Sequence, residues 1–158
     1  MIVGMLGVHF AITADQERAL LAADAEGDSD MIEELLEEIE ELWDDDGLKV
    51  DTDKAWDPIH RCLTDGTLDP DGGEYPLSHT ILGGRHLHDD IYFVYVGADE
   101  VREVAEALDG VDEMWFRPRF ERLEDEDDWD YVWVNFVDVK EFYGRAAAAG
   151  RAVVFTAT

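Results

Sequence analysis

Hydrophobic residues along the chain follow two periodicities, which predict strands and helices in alternation. Runs of β-branched and aromatic residues predict buried strands near residues 2–12, 91–97 and 151–157. Apolar residues at helical spacing predict helices between these strands. Because the strands are few and lie far apart in sequence, we expect an α/β fold with a small mixed β-sheet covered by helices. No repeat or linker divides the chain, so residues 1–158 are expected to form a single domain.

Start and stop signals refine several of these helices. Thr13-Ala-Asp-Gln16 matches a capping box and predicts a helix directly after the first strand. A second helix begins near Asp30, where an apolar stripe is opposed by a face of glutamates, as in a packed helix with a solvated outer face. The stripe consists of Ile32, Leu35, Leu36, Ile39, Leu42 and Trp43. Residues 112–120 are expected to form a short helix broken by Pro118.

The segment 129–149 fits both kinds of element. Its first half is rich in β-branched and aromatic residues, which favour a strand. However, Val132, Phe136 and Tyr143 also recur at helical spacing, and the segment continues into a run of alanines. Periodicity alone therefore leaves helix and strand open here.

Residues 53–63 hold the most informative group of side chains. If this stretch is one helix, Asp53, Asp57 and His60 share a side and Trp56 lies at the border of the apolar face. A tryptophan beside a histidine and two carboxylates is typical of a cleft wall, where either carboxylate would orient the imidazole. An ordinary amphipathic helix with a surface His60 is the alternative.

Two further observations bear on this cleft. Asp57-Pro58 is itself a helix-start signal, and a helix beginning there would change the geometry between Asp53 and His60. Downstream, the Pro-Leu-Ser turn places Ser78 just before a double glycine, which would either admit a ligand to the backbone or simply end a short helix. No Gly-x-Ser-x-Gly sequence accompanies this serine.

Metal and cofactor chemistry has weak support. His86-x-His88 would place two imidazoles on one face of a strand, but such residues more often form a polar approach to a strand. The Asp69-Pro-Asp71-Gly72 stretch fails as a calcium loop, because the first and last ligand positions would fall on Thr67 and Ser78. The chain has no phosphate-binding glycine loop and no dinucleotide fingerprint, so no cofactor is expected.

Charge narrows the range of partners. The chain has 40 acidic and 12 basic residues, a net charge of −28, which disfavours nucleic acids and anionic membranes. A solvated acidic surface is the favoured interpretation, and a decoy surface for a basic protein is the alternative. No apolar run approaches the length of a membrane span, and the opening residues lack a signal-peptide pattern. With a single cysteine, Cys62, expected in the core, a cytoplasmic protein is predicted.

Two stretches carry a family resemblance: Asp-Lys-Ala-Trp-(x)3-His at 53–60 and Pro-Leu-Ser-(x)2-Ile-Leu-Gly-Gly at 76–84, together with Phe142-Tyr143 before an alanine-rich end. They resemble the YfbM-like family of small bacterial domains over nearly the whole chain. The resemblance implies a compact α/β domain and a long helix over 129–149. It implies no particular activity.

We therefore expect a binding or interaction domain without enzymatic activity, whose ligand is a small molecule or a basic protein. The residues expected to line its cleft are Asp53, Trp56, His60, Ser78 and Tyr143. Two alternatives stay open: a hydrolase or transferase that uses the same cleft, and an acidic inhibitor or immunity-type protein. No catalytic or metal-binding residue is assigned.

Overall fold

A five-stranded antiparallel sheet forms the middle layer of the fold, as seen in a computed structural model that describes residues 5–41, 45, 47–124 and 127–158. The strands are β1 Gly7–Ile12, β2 Lys49–Asp51, β3 Arg85–His86, β4 Tyr92–Val96 and β5 Ala152–Ala157. The helices are α1 Ala14–Glu26, α2 Ser29–Glu40, α3 Trp56–Leu63, α4 Ala98–Asp109, α5 Glu113–Arg122 and α6 Trp129–Ala148, with a short 3₁₀ helix at Leu77–His79. No helix in the described ranges is long and apolar enough to cross a bilayer.

The strand order is β2-β1-β5-β4-β3, and each neighbouring pair runs antiparallel. The α/β fold class, the three predicted strands and the helix over 129–149 are confirmed. The sheet was expected to be mixed, but all four of its strand pairings are antiparallel. The edge strands β2 and β3 were not predicted, because they have three and two residues and show no periodicity. Residues 2–4 of the first predicted strand, and Leu42 and Trp43 of the second helix, lie outside the described residues.

Alternating side chains divide the core between the two faces of the sheet. On one face Phe10, Ile12 and Val154 pack with the apolar stripes of α1 and α2. On the other face Val153 and Phe155 pack with α3, α4, α5 and α6. The sheet is thus buried on both sides, which explains why its central strands are nearly continuous apolar runs.

Two predicted helix boundaries are wrong. The central helix α3 begins at Trp56 and not at residue 53, and Asp53 adopts a left-handed backbone conformation with φ 51° ahead of it. Pro118 does not break α5, which continues to Arg122. A proline removes the donor to the carbonyl four residues earlier, and here that carbonyl belongs to Met114, which is 86% exposed and open to water.

A close approach between Gly7 and Trp56 joins α3 to the sheet. The indole Nε1 of Trp56 donates to the carbonyl of Met5 at 2.9 Å, and its ring packs against Phe155. A Cβ atom at Gly7 would lie 2.5 Å from Cδ1 of the indole. Glycine at this position is therefore what allows the tryptophan to lie across the start of β1.

This contact predicts that Gly7→Ala lowers the free energy of unfolding by about 1–3 kcal/mol, because the added methyl group overpacks the core. Gly144→Ala is the matched control: an added Cβ there meets no atom within 4 Å, and alanine is the better helix former. We expect the control to be neutral or to stabilise by up to about 1 kcal/mol. Urea denaturation of both variants measures the difference, and equal stabilities would contradict the role given to Gly7.

Candidate functional site

Four of the five residues predicted to line a cleft are buried, and only Asp53 is exposed. Trp56, His60, Ser78 and Tyr143 are 1%, 0%, 6% and 1% exposed, so they present little surface to a ligand in this conformation. Asp53 is exposed, and its carboxylate accepts a hydrogen bond from Tyr131 at 2.6 Å. Their buried polar atoms nevertheless organise two loops that border more open surface.

His60 fixes the loop that follows α3. Its Nε2 donates to the carbonyl of Asp69 at 3.1 Å, and Thr64 Oγ1 donates to the carbonyl of His60 at 2.7 Å. Neither carboxylate that was expected to orient the imidazole contacts it: Asp57 accepts from Arg61 Nε at 2.7 Å, and Asp53 accepts from the Tyr131 hydroxyl. Burial lowers the pKa of His60, against a smaller opposing effect of the hydrogen bond to Asp69. His60 is thus a neutral, buried anchor for residues 64–69.

A second buried network holds the Pro-Leu-Ser turn. The carbonyl of Thr80 accepts from His9 Nε2 at 2.8 Å and from the Tyr143 hydroxyl at 2.8 Å. Because a carbonyl only accepts, Nε2 of His9 carries the hydrogen, and acid would protonate Nδ1, a buried atom without a hydrogen-bond partner. Burial lowers the pKa of His9 to about 4, and it raises the pKa of Tyr143 well above its usual range. Sequence analysis missed His9, although a lone histidine in an apolar strand was a visible signal.

The turn held by this network places a serine beside a histidine and a carboxylate. Ser78 Oγ lies 3.0 Å from His79 Nδ1, and His79 Nε2 lies 3.6 Å from an oxygen of Glu100. Tyr143 also donates to the carbonyl of His79 at 3.3 Å, which restrains the turn from below. The histidine is therefore placed to accept a proton from the serine, with a negative charge on its far side.

A mainly polar cavity lies where α3 and α5 pack together. It has a volume of about 430 Å³. The residues that line it, which we call the arginine groove, are Arg61, Cys62, Thr64, Asp65, Gly66, Arg119, Arg122 and Leu123. Three guanidinium-bearing residues therefore meet in one cavity of a strongly acidic protein.

Neighbouring groups restrain the charged side chains of the arginine groove. Arg61 is held by its contact with Asp57, and the guanidinium of Arg119 stacks over the ring of Trp115 at 4.0 Å. The carboxylate of Asp65 accepts from the hydroxyl and the amide of Thr67, which lower its pKa. The groove thus offers cationic groups whose orientation is partly fixed before any ligand arrives.

The two histidines considered for a metal site have different partners. His86 Nε2 donates to the carbonyl of Leu82 at 2.9 Å, whereas His88 Nε2 lies 3.2 Å from Glu33. Within the described ranges, no group of three or more potential ligand residues is placed to hold a metal ion.

A family model described as a domain of unknown function, DUF1877, matches residues 3–156. The chain belongs to this family. The chain is also similar to the solved structure of YfbM from Escherichia coli, a protein of unknown function, with 21% identity, a TM-score of 0.66, and coverage of 98% of this chain and 100% of the other. The resemblance to YfbM-like domains is therefore confirmed, and the structural match supports the shared fold. No curated protein matches the chain.

The burial of His9 predicts a specific loss of stability in acid. Its pKa is lowered in the folded state, so the unfolded state binds more protons between pH 6.5 and about 4. Stability from this residue is therefore present above pH 6.5 and decreases as the pH falls, by about 3 kcal/mol in all.

We expect the stability difference between the wild type and His9→Gln to shrink over this range, because glutamine retains a donor for Thr80 but does not titrate. Chemical denaturation at several pH values measures this difference. His86→Gln, at an exposed histidine, is the control and should follow the wild type. Parallel pH profiles for the wild type and His9→Gln would show that His9 is not the titrating group.

Proposed function

We propose that the protein is a binding domain without enzymatic activity, and that it holds a small anionic molecule in the arginine groove. The observation that carries this proposal is the convergence of Arg61, Arg119 and Arg122 on one cavity. They are a quarter of the chain's 12 basic residues, in a protein of net charge −28. Guanidinium groups recognise carboxylate and phosphate oxygens through paired, charge-assisted hydrogen bonds.

Two of the three arginine side chains are already held in place, which favours a specific binding site over nonspecific attraction of anions. Arg61 and Arg119 are half-buried and held by Asp57 and by the Trp115 ring, so little conformational entropy is lost when they bind a ligand. Arg122 is exposed at the end of α5 and is free to close over a ligand. A cavity of about 430 Å³ is within the usual range for a metabolite-sized molecule.

The same arginines also have a structural use. Arg61 lies in the last turn of α3, and Arg119 and Arg122 lie in the last turn of α5, where cations interact favourably with the helix dipole. The interaction with the helix dipole contributes to the stability of the protein whether or not a ligand is present. A binding site instead makes the stability increase with ligand concentration. The two roles therefore separate in an experiment that varies ligand concentration.

We expect pyrophosphate and citrate to raise the midpoint of thermal unfolding of the wild type as their concentration increases. Arg122→Gln should weaken this binding by about tenfold, because a hydrogen bond to a charged group contributes about 1.5–3 kcal/mol. Arg102→Gln is the matched control, because it makes the same change in net charge outside the arginine groove. Arg102 is exposed on α4, where it contacts Asp99. Equal weakening in both variants, or no response to either anion, would rule out a dedicated site.

A hydrolase or transferase is the second candidate, and the Ser78–His79–Glu100 arrangement favours it. In such a reaction His79 accepts the serine proton while Ser78 Oγ forms a bond to an acyl or phosphoryl centre and the leaving group departs. The loop that carries both residues is anchored from below by Tyr143, which supplies the rigidity that a nucleophile needs.

A fluorophosphonate probe tests this candidate directly, because an activated serine displaces fluoride and the protein gains the phosphonyl mass. We expect modification of Ser78 and its loss in His79→Gln. Ser29, exposed at the first turn of α2, is the internal control and should remain unmodified. Modification of both serines, or of neither, would show that Ser78 is not activated.

A further inference from the structure

A partly apolar surface lies on the other side of α5, where its first turn meets α6. Two adjoining cavities of about 370 Å³ and 440 Å³ share Glu113. The apolar residues that line the two cavities are Val111, Met114, Pro118, Trp133 and Val137. Together with Val134, which is exposed on the same helix, they form what we call the α5/α6 surface. Val134 lies one helical turn before Val137, so the two side chains are neighbours on α6.

Exposed apolar area is concentrated here. Met114 and Val134 are 86% and 58% exposed, the two highest values among the large hydrophobic residues of the described chain. Beneath them, Trp133 is half-buried and packs against Phe116 and Phe136, so the floor of the surface is rigid. Exposed apolar side chains beside a packed aromatic cluster are a feature of protein interaction sites.

Carboxylates surround the patch. The acidic residues that line the two cavities are Asp109, Asp112, Glu113, Glu121 and Glu141. Both cations at the surface are already engaged: Lys140 donates to the carbonyl of Val111 at 3.2 Å, and Arg117 contacts Glu113 and Glu121. The rim is therefore negative on balance around an apolar floor.

We infer that the α5/α6 surface binds a basic amphipathic helix of a partner protein. Apolar side chains of that helix would enter the cavities, and its lysines or arginines would face the acidic rim. Charge decides against other occupants: a second copy of this chain would bring like charges together, and an anionic membrane would be repelled. Addition of a partner strand is also disfavoured, because the edge strands β2 and β3 are only three and two residues long.

This inference is independent of the arginine groove, which lies on a different side of α5 and shares no lining residue with this surface. It also gives a location to the interaction with a basic protein that the composition suggested, since acidity alone is spread along the chain and does not define a site. Binding of a basic amphipathic helix requires both the apolar and the acidic residues of the α5/α6 surface.

The test uses a designed peptide of about 18 leucine and lysine residues, which forms an amphipathic helix about 27 Å long. One comparison peptide has the same residues in a scrambled order, and another has glutamate in place of lysine. Binding is measured by calorimetry at about 50 mM salt, where charge interactions remain effective at contact distance. We expect saturable binding of one amphipathic basic peptide per chain.

Two pairs of substitutions separate the contributions. Met114→Ser with Val134→Ser removes exposed apolar area, and Asp109→Asn with Glu141→Gln removes two rim charges. Each pair should weaken peptide binding by about tenfold, or 1.4 kcal/mol. The control pair, Glu34→Gln with Glu38→Gln, makes the same charge change on the exposed face of α2 and should alter affinity by less than about twofold.

Several outcomes would overturn the inference. An equal loss in the α2 control would show that binding follows net charge alone. Equal binding of the scrambled or the glutamate peptide would remove the need for an apolar face or for opposite charge. Absence of saturable binding, or self-association of the protein that is lost with Met114→Ser and Val134→Ser, would show that the surface has a different occupant.

Discussion

The buried carbonyl of Thr80 holds together three parts of the chain that are distant in sequence: β1, α6 and the turn that carries Ser78 and His79. It accepts one hydrogen bond from His9 in β1 and another from Tyr143 in α6. Both donors are fully buried, so loss of either leaves polar atoms without a partner in a region that excludes water. The turn that carries Ser78 and His79 is therefore fixed from the interior of the protein, although His79 itself reaches the surface.

The two faces of the sheet have different roles. The α1 and α2 side carries the glutamate-rich face of α2, whose side chains are exposed to solvent. The α3 to α6 side holds the arginine groove, the Ser78 turn and the α5/α6 surface.

Much of the fold could be predicted from the sequence, because long periodic segments determine their own burial. For α6, periodicity left helix and strand open and the family resemblance favoured the helix, whereas β2 and β3 were too short to show a period. The candidate site was harder to predict, since it depends on distant contacts. Trp56 was expected at a cleft border, but α3 begins at this residue and Gly7 lets its indole enter the core. No local pattern brings Arg61 close to Arg119 and Arg122.

Helix α5 contributes residues both to the α5/α6 surface and to the arginine groove. Its first turn contributes Glu113 and Met114 to the acidic and apolar surface, and its last turn contributes Arg119 and Arg122 to the arginine groove. Acidic residues at the start of a helix and basic residues at its end both interact favourably with the helix dipole. Glu113, Arg119 and Arg122 therefore stabilise α5. The two sets of residues also lie on different sides of the helix, so the acidic and apolar surface and the arginine groove share no lining residue. The charges that stabilise the ends of α5 thus also contribute to the acidic character of one surface and the basic character of the other.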